Sequence, residues 1–472
     1  MVFIQEVSPN EPAEVQVLLL SKPVDVERLS VYIQNNALSP DDTGVLISKL
    51  EAWLALDVRD EHYHTSKLPY LSLAVTLFRK STQENLFRLL CLIGAYINPH
   101  VKWSNLELAN IASSLSVDEI SVHMSQFFDF LKPRFLSMRN SKVTLAGYKR
   151  DESPIPRGLR PKLGLLSSYE QNTRDTWKRS DDVKALSWVV LLMKVGRRWS
   201  GFDHSWPVIT TFIINVLDDS DAYYREQGCH LLNIFLSCEL GDLLLKSGMV
   251  HVFQEALETS LNFLPSLTPA EKSLSLLSAT YPTLYSLQHL KKASPMEFVG
   301  ILDKHILGLI SHVQGRHNDA KTNSVLRFLL SQIAIIVTDY IGPSVLGCLS
   351  RLIFVLNQLI VNPFVIDTED GVGVVNAALE AHCAILQVFA KLNNKEGSNL
   401  VMLYRYDFIG PWVILCKRVS RFNVGDSQTQ ALLEKNVALL GDISKSAALG
   451  DSLKEDLQQT CLKVAEFKSY VH

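Results

Sequence analysis

The chain has 472 residues, 47% apolar and 20% charged, with 46 Lys and Arg against 49 Asp and Glu, a formal net charge of −3. That apolar content with balanced charge excludes a disordered chain, and a charge so near zero argues against a dedicated nucleic-acid binder, which would carry a net basic surface. With only 22 Gly and 18 Pro, the composition is that of a mostly helical protein, long enough for about three ordinary domains or one repeat array.

In chain order, Met1 to Asn10 has no basic stretch and already carries Glu6, so no secretory signal is expected. Ser39-Pro40-Asp41-Asp42 predicts a helix start, its acids facing the positive end of the helix dipole. Ser81 with Glu84, and Ser116 with Glu119, have capping-box spacing. Glu61, His62 and His64 are the right types for a metal, but no further ligand stands at a fixed spacing, and a loop end is the simpler reading. Residues 1–138 therefore read as an N-terminal helical region.

Residues 139–180 break the pattern. They hold ten Lys and Arg against four acids, with Pro154, Pro156 and Pro161 in the middle and little helical period. Such a stretch is a long loop or insertion. Two readings stay open for its cluster of Lys149, Arg150, Arg157, Arg160 and Lys162: a contact for a phosphate or an acidic protein surface, or a solvated loop that offsets acidic charge elsewhere.

Residues 181–472 read as a helical-repeat region. Val208, Ile209, Phe212, Ile213 and Val216 share one face of a helix, the turn Asp218-Asp219-Ser220-Asp221 follows, and Tyr224, Leu231, Leu232 and Phe235 share a face of the next helix. A helix, an Asp-containing turn and a second helix with Arg225 near its start have the form of a HEAT unit, the aspartates capping the second helix. Thr268 with Glu271, and Pro269 as first helical residue, predict a further start. Helix pairs follow at 298–312 with 320–341, 344–361 with 373–394 and 409–421 with 428–446. The apolar runs Leu326–Ile341 and Val345–Ile366 are broken by Gln332, Asp339, Arg351, Asn357 and Gln358, and read as core helices rather than membrane spans. Sustained alternation at period two is nearly absent, so no strand is expected. A helix pair cannot bury its apolar face alone, so neighbours must stack. The expected fold is all-α, a HEAT-like helical-repeat solenoid (an α-α superhelix).

Seven Cys, nearly all in apolar helical runs and none in a CxxC pair, fit reduced, buried thiols of an intracellular protein. The chain has no phosphate-binding P-loop, no GxGxxG, no HExxH, no GxSxG and no EF-hand loop. Asp218, Asp219 and Asp221 lack the Gly and distal Glu of a calcium loop. Cys229 and His230 are adjacent on a helix and point in different directions, which does not suit a nucleophile and its base. No enzyme activity, metal or cofactor is expected.

The stretch from Trp206 to Leu287 carries a resemblance. It runs from Trp206-Pro207 through Val216-Leu217-Asp218-Asp219 to the block Arg225-Glu226-Gln227-Gly228-Cys229-His230-Leu231-Leu232. It continues through 243–257, then Phe263-Leu264-Pro265-Ser266-Leu267-Thr268-Pro269-Ala270-Glu271, and ends at Ala279-Thr280-Tyr281-Pro282-Thr283-Leu284. This order, under a fifth of the chain, resembles the fungal members of the Tel-two-interacting-protein-two family, a subunit of the TTT co-chaperone complex. Val216 is a small departure from the family's Leu-Leu-Asp turn, and Pro411-Trp412-Val413 is similar to its C-terminal Trp helix.

The resemblance implies a non-enzymatic adaptor without cofactor, membrane or nucleic acid. Its implied partners are the Tti-one and Tel-two type subunits. Its implied clients are phosphatidylinositol-3-kinase-related kinases, matured with the ninety-kilodalton heat-shock chaperone, and the kinase-like Tra scaffold of the ASTRA assembly. The implied location is cytoplasm and nucleus. Partner contacts are expected at the basic cluster, at Trp412 and across 400–472, where a repeat array ends on an open helix face. The competing reading is a HEAT-type transport or cargo adaptor, which the small acidic excess and short array disfavour.

Overall fold

The computed structural model describes residues 26–56, 65–81, 83–136, 142–144, 146–150, 176–314, 320–366, 368–392, 394–448 and 450–471. These residues are all-α, and their one β feature is an isolated antiparallel bridge between Val143 and Lys149. The chain divides between Ala256 and Leu257 into two units.

In the first unit the helices are α1 (Val26–Asn35), α2 (Pro40–Trp53), α3 (Leu68–Lys80), α4 (Gln83–Gly94), α5 (Leu106–Ala112), α6 (Val117–Ser121) and α7 (Met124–Leu136). After the basic segment come α8 (Ala185–Val195), α9 (Phe202–Leu217), α10 (Ala222–Leu236), α11 (Gly241–Lys246) and α12 (Met249–Ser260), which carries the division. Ser39 caps α2 by accepting from the Asp42 N–H, and Ser116 and Glu119 form the expected capping box on α6. Ser81 behaves otherwise: it closes α3, its hydroxyl donating to the Leu77 carbonyl at 2.8 Å.

Helix α8 organises this unit. Every one of its residues except Lys194 is buried, as expected of a helix that is apolar all round. It packs against α4, α6 and α7 on one side and α10 on the other. Trp188 Nε1 donates to the Cys91 carbonyl at 2.8 Å, and Asn98 Nδ2 to the Leu186 carbonyl at 3.1 Å. The basic segment therefore does not separate two cores. Helices before it pack on helices that follow it, α4, α6 and α7 on α8 and α7 also on α9, and the boundary lies some 75 residues later in the chain.

Helices α9 and α10 meet closely at Gly228. A Cβ built there would stand 2.8 Å from the Leu217 backbone nitrogen and 2.9 Å from its Cα, so only glycine lets the two backbones approach this far. Gly228→Ala is expected to force the pair apart and cost about 1–3 kcal/mol. Urea unfolding checks this, and an unchanged midpoint would show that the contact is softer than it looks.

The second unit has α13 (Ala270–Leu290), α14 (Pro295–Ile301), α15 (Gly308–Val313), α16 (Ala320–Ile336), α17 (Leu349–Val361), α18 (Pro363–Ile366) and α19 (Glu369–Leu392). It ends with α20 (Lys395–Leu403), α21 (Arg405–Phe422), α22 (Ser427–Ser446) and α23 (Gly450–Lys463). A π-helical stretch, Leu302–Leu307, joins α14 to α15. The three expected pairs are present, and they stack: α13, α16, α19 and α22 pack in succession in one layer, and α17 packs on α21 in the other. Polar ties fix the register between layer neighbours. Asn376 donates to the Asp426 carboxylate at 3.1 Å and accepts from the Thr429 hydroxyl at 2.7 Å; Asn436 donates to the Leu379 carbonyl at 3.0 Å.

The stretches Ala320–Gly347 and Asp370–Leu392 are long and apolar enough to cross a membrane, but 50% and 72% of their most apolar windows are buried in this stack. Their hydrophobicity is that of core helices. One helix start in this unit differs from expectation. Pro269, not Thr268, is the N-cap of α13, and Glu271 pairs with Lys321 at 2.9 Å instead of closing a box. The reciprocal cap sits at α14, where Glu297 accepts from the Ser294 N–H at 2.7 Å.

None of the seven cysteines forms a disulfide. Burial pushes Cys91 up to about 12 and Cys238 and Cys416 up to about 11, which keeps them protonated and unreactive.

Candidate functional site

The acidic turn between α9 and α10 divides its side chains between two tasks. Asp221 is the N-cap of α10, accepting from the Tyr223 N–H at 3.0 Å, and Asp219 accepts from the Asp221 N–H at 2.8 Å. The Asp219 carbonyl accepts from Arg225 Nε. This is the capping that the sequence indicates.

The second task lies outside the sequence reading. Asp218 and Asp219 hold the two ends of the basic segment: Lys142 Nζ stands 3.3 Å from Asp218, and Lys178 Nζ 2.6 Å from Asp219. In the second pair the side chains are only 13% and 10% exposed, so water screens it far less than a surface pair. Lys178 also lies over the Tyr224 ring at 4.6 Å, and Trp177 meets Phe212 and Tyr224 edge-on. The signal for this clasp was present in the composition, as basic residues at both ends of the segment and four polar residues in the turn. Nothing in a linear sequence shows that the two meet.

From Lys142 the chain folds into a tight hairpin. The Thr144 N–H donates to the Tyr148 carbonyl, and the Arg150 N–H to the Lys142 carbonyl, each at 2.9 Å. Gly147 turns it with φ +80°, close enough that a Cβ would stand 2.8 Å from Pro207 Cβ. The Lys149 N–H donates to the Ser247 carbonyl at 2.9 Å. The hairpin is thus seated on Trp206-Pro207 and on the turn after α11. Of the expected basic contacts, Lys149 and Arg150 stand exposed on it. Arg157, Arg160 and Lys162 lie outside the described residues, as do Glu61, His62 and His64.

Trp412 does not lie on the surface. It is fully buried in α21 between His382 and Phe408, its Nε1 donating to His382 Nδ1 at 3.2 Å. A large apolar ring at a helix position facing the neighbouring layer is core, and none of it is left for a partner. Exposed apolar residues of this region lie elsewhere, among them Leu403 (62%), Tyr406 (56%) and Ile414 (42%), with Phe354 (60%) on the adjacent α17. Asn357 of α17 donates to the Asp407 carbonyl at 2.7 Å, which fixes the two helices side by side. Tyr406 is held by its hydroxyl on Asp456 at 3.0 Å.

Cys229 of α10 is buried, and His230 stacks on His100 at 3.6 Å between ring centroids. Among the described residues no group of three or more His, Cys, Asp or Glu is placed to hold a metal.

These features define an all-α protein of stacked helix pairs, with a pinned basic hairpin in one unit and exposed apolar side chains on adjacent helices of the other. Residues 89–367, more than half of the chain, match the model of the Tti2 family, and the chain belongs to that family. It is also 29% identical over 223 residues to the TEL2-interacting protein 2 of Saccharomyces cerevisiae (strain ATCC 204508 / S288c), a match covering 44% of this chain. The chain spans about half the length of that curated relative, 51%. No solved structure matches it.

Proposed function

We propose that this chain is a non-enzymatic adaptor subunit of the TTT complex, its helix pairs forming a HEAT-like solenoid that holds Tti-one and Tel-two type subunits together. In this role it assists the chaperone-dependent folding and assembly of phosphatidylinositol-3-kinase-related kinases, and of the related Tra scaffold in the ASTRA assembly, in cytoplasm and nucleus. Family membership supports the complex. The observation that carries an adaptor role is the set of exposed apolar side chains, Phe354, Leu403 and Ile414, on adjacent helices of 349–422. Side chains of this kind anchor protein interfaces once water is excluded around them.

The test is a full-length variant carrying Phe354→Asp, Leu403→Asp and Ile414→Asp. All three positions are exposed, so the fold is expected to survive, as circular dichroism will show. Recovery of the Tti-one type subunit with the tagged chain is expected to fall at least about tenfold. Recovery at the wild-type level would place the interface on another face.

A further inference from the structure

Lysines at the two ends of the basic segment are paired with acids of the same chain, and the two cations on the returning arm of the hairpin are not. Lys142 and Lys178 engage Asp218 and Asp219, whereas Lys149 and Arg150 are exposed with no ion-pair partner among the described residues. The hydrogen bond from Lys149 to Ser247 brings a third cation beside them, Lys246 at the end of α11, likewise exposed and without an ion pair. Two partly exposed apolar side chains flank the three charges, Tyr148 at 50% and Leu245 at 46%. Every backbone tie of the hairpin described above holds this group in place.

We infer that Lys149, Arg150 and Lys246, with Tyr148 and Leu245, form a docking surface for an acidic, apolar-containing protein segment. The three cations take its carboxylates and the Tyr and Leu take an apolar side chain between them. Charge complementarity sets the sign of the partner. The apolar pair favours a peptide over a nucleic acid, whose backbone offers phosphates and sugars, and a chain of net charge −3 has no general attraction for polyanions. The clasp and the Gly147 turn act as positioning groups: they hold the backbone that carries Lys149 and Arg150, so that less loop freedom is lost on binding.

The test uses the full chain and a fluorescent synthetic peptide of glutamates interrupted by one leucine and one tryptophan, at low salt. Saturable binding is expected, weakened about tenfold by Lys149→Ala, Arg150→Ala and Lys246→Ala together. The same charge change at Lys454, Lys463 and Lys468 is expected to leave affinity within about twofold. No binding, equal loss from both triple variants, or tighter binding of a duplex DNA probe through the same residues would overturn the assignment. Two further variants separate position from charge. Gly147→Ala changes no charge, and Asp218→Asn makes the chain more positive; both are expected to weaken the peptide complex by loosening the hairpin, with melting followed in parallel. A tighter complex with Asp218→Asn would show that charge alone operates and remove the clasp from the account.

Discussion

Trp412→Ala is expected to cost about 3–5 kcal/mol, the range for truncating a buried aromatic side chain. The indole is fully buried between His382 and Phe408, and its loss leaves a cavity and strips His382 Nδ1 of its donor. A domain is stable by only about 5–15 kcal/mol, so the second unit of the variant should unfold at a much lower urea concentration. Trp412→Phe keeps much of the volume and loses the hydrogen bond, and is expected to fall between the two proteins. A loss below about 1 kcal/mol for the alanine variant would mean that the ring is not packed as described. Any loss of partner recovery in these variants should track the fraction unfolded, since the ring has no exposed edge.

The second large effect is a dependence on pH. His382 is fully buried and its neutral ring accepts from Trp412; burial pushes its pKa down to about 3. The unfolded chain takes up a proton there near 6.5 while the folded chain does not. The unfolded state therefore binds more protons between about 6.5 and 3, and stability falls as the pH is lowered through that window by up to about 1.4 kcal/mol per unit. At pH 5 the expected loss from this group is about 2 kcal/mol relative to pH 7.5. His382→Asn offers Trp412 an acceptor without titrating, so its stability should fall by about 2 kcal/mol less over the same range. Equal pH dependence in the two proteins would refute the buried, uncharged histidine.

The helix pairs of the second unit were legible because each carries its own apolar face and its own punctuation. The pair 409–421 with 428–446 lies within a few residues of α21 and α22, since period and breakers are local properties. The cap at Ser294 is written in the sequence as plainly as the one at Ser116, with Pro295 at the first helical position; Thr268 drew attention because its spacing is the same, yet there the backbone starts the helix one residue late. What a linear reading could not reach were the long-range meetings. Asp218 and Lys142 are 76 residues apart in the chain, and their pairing depends on how α9 is turned against the hairpin. The burial of Trp412 was out of reach for a related reason: an aromatic in a helix looks the same in sequence whether it faces a neighbouring layer or the solvent.

Helix α8 has a consequence for synthesis. Helices α1 to α7 are complete by Leu136, but the helix that closes their core begins at Ala185, roughly 50 residues later. At ordinary elongation rates that interval lasts several seconds, during which the nascent chain carries an apolar surface with no native cover. The gap makes this stretch of translation the point at which the chain is most open to aggregation or to capture by a holding chaperone, and a synonymous change that slows decoding between residues 137 and 195 should lower soluble yield without altering the finished protein.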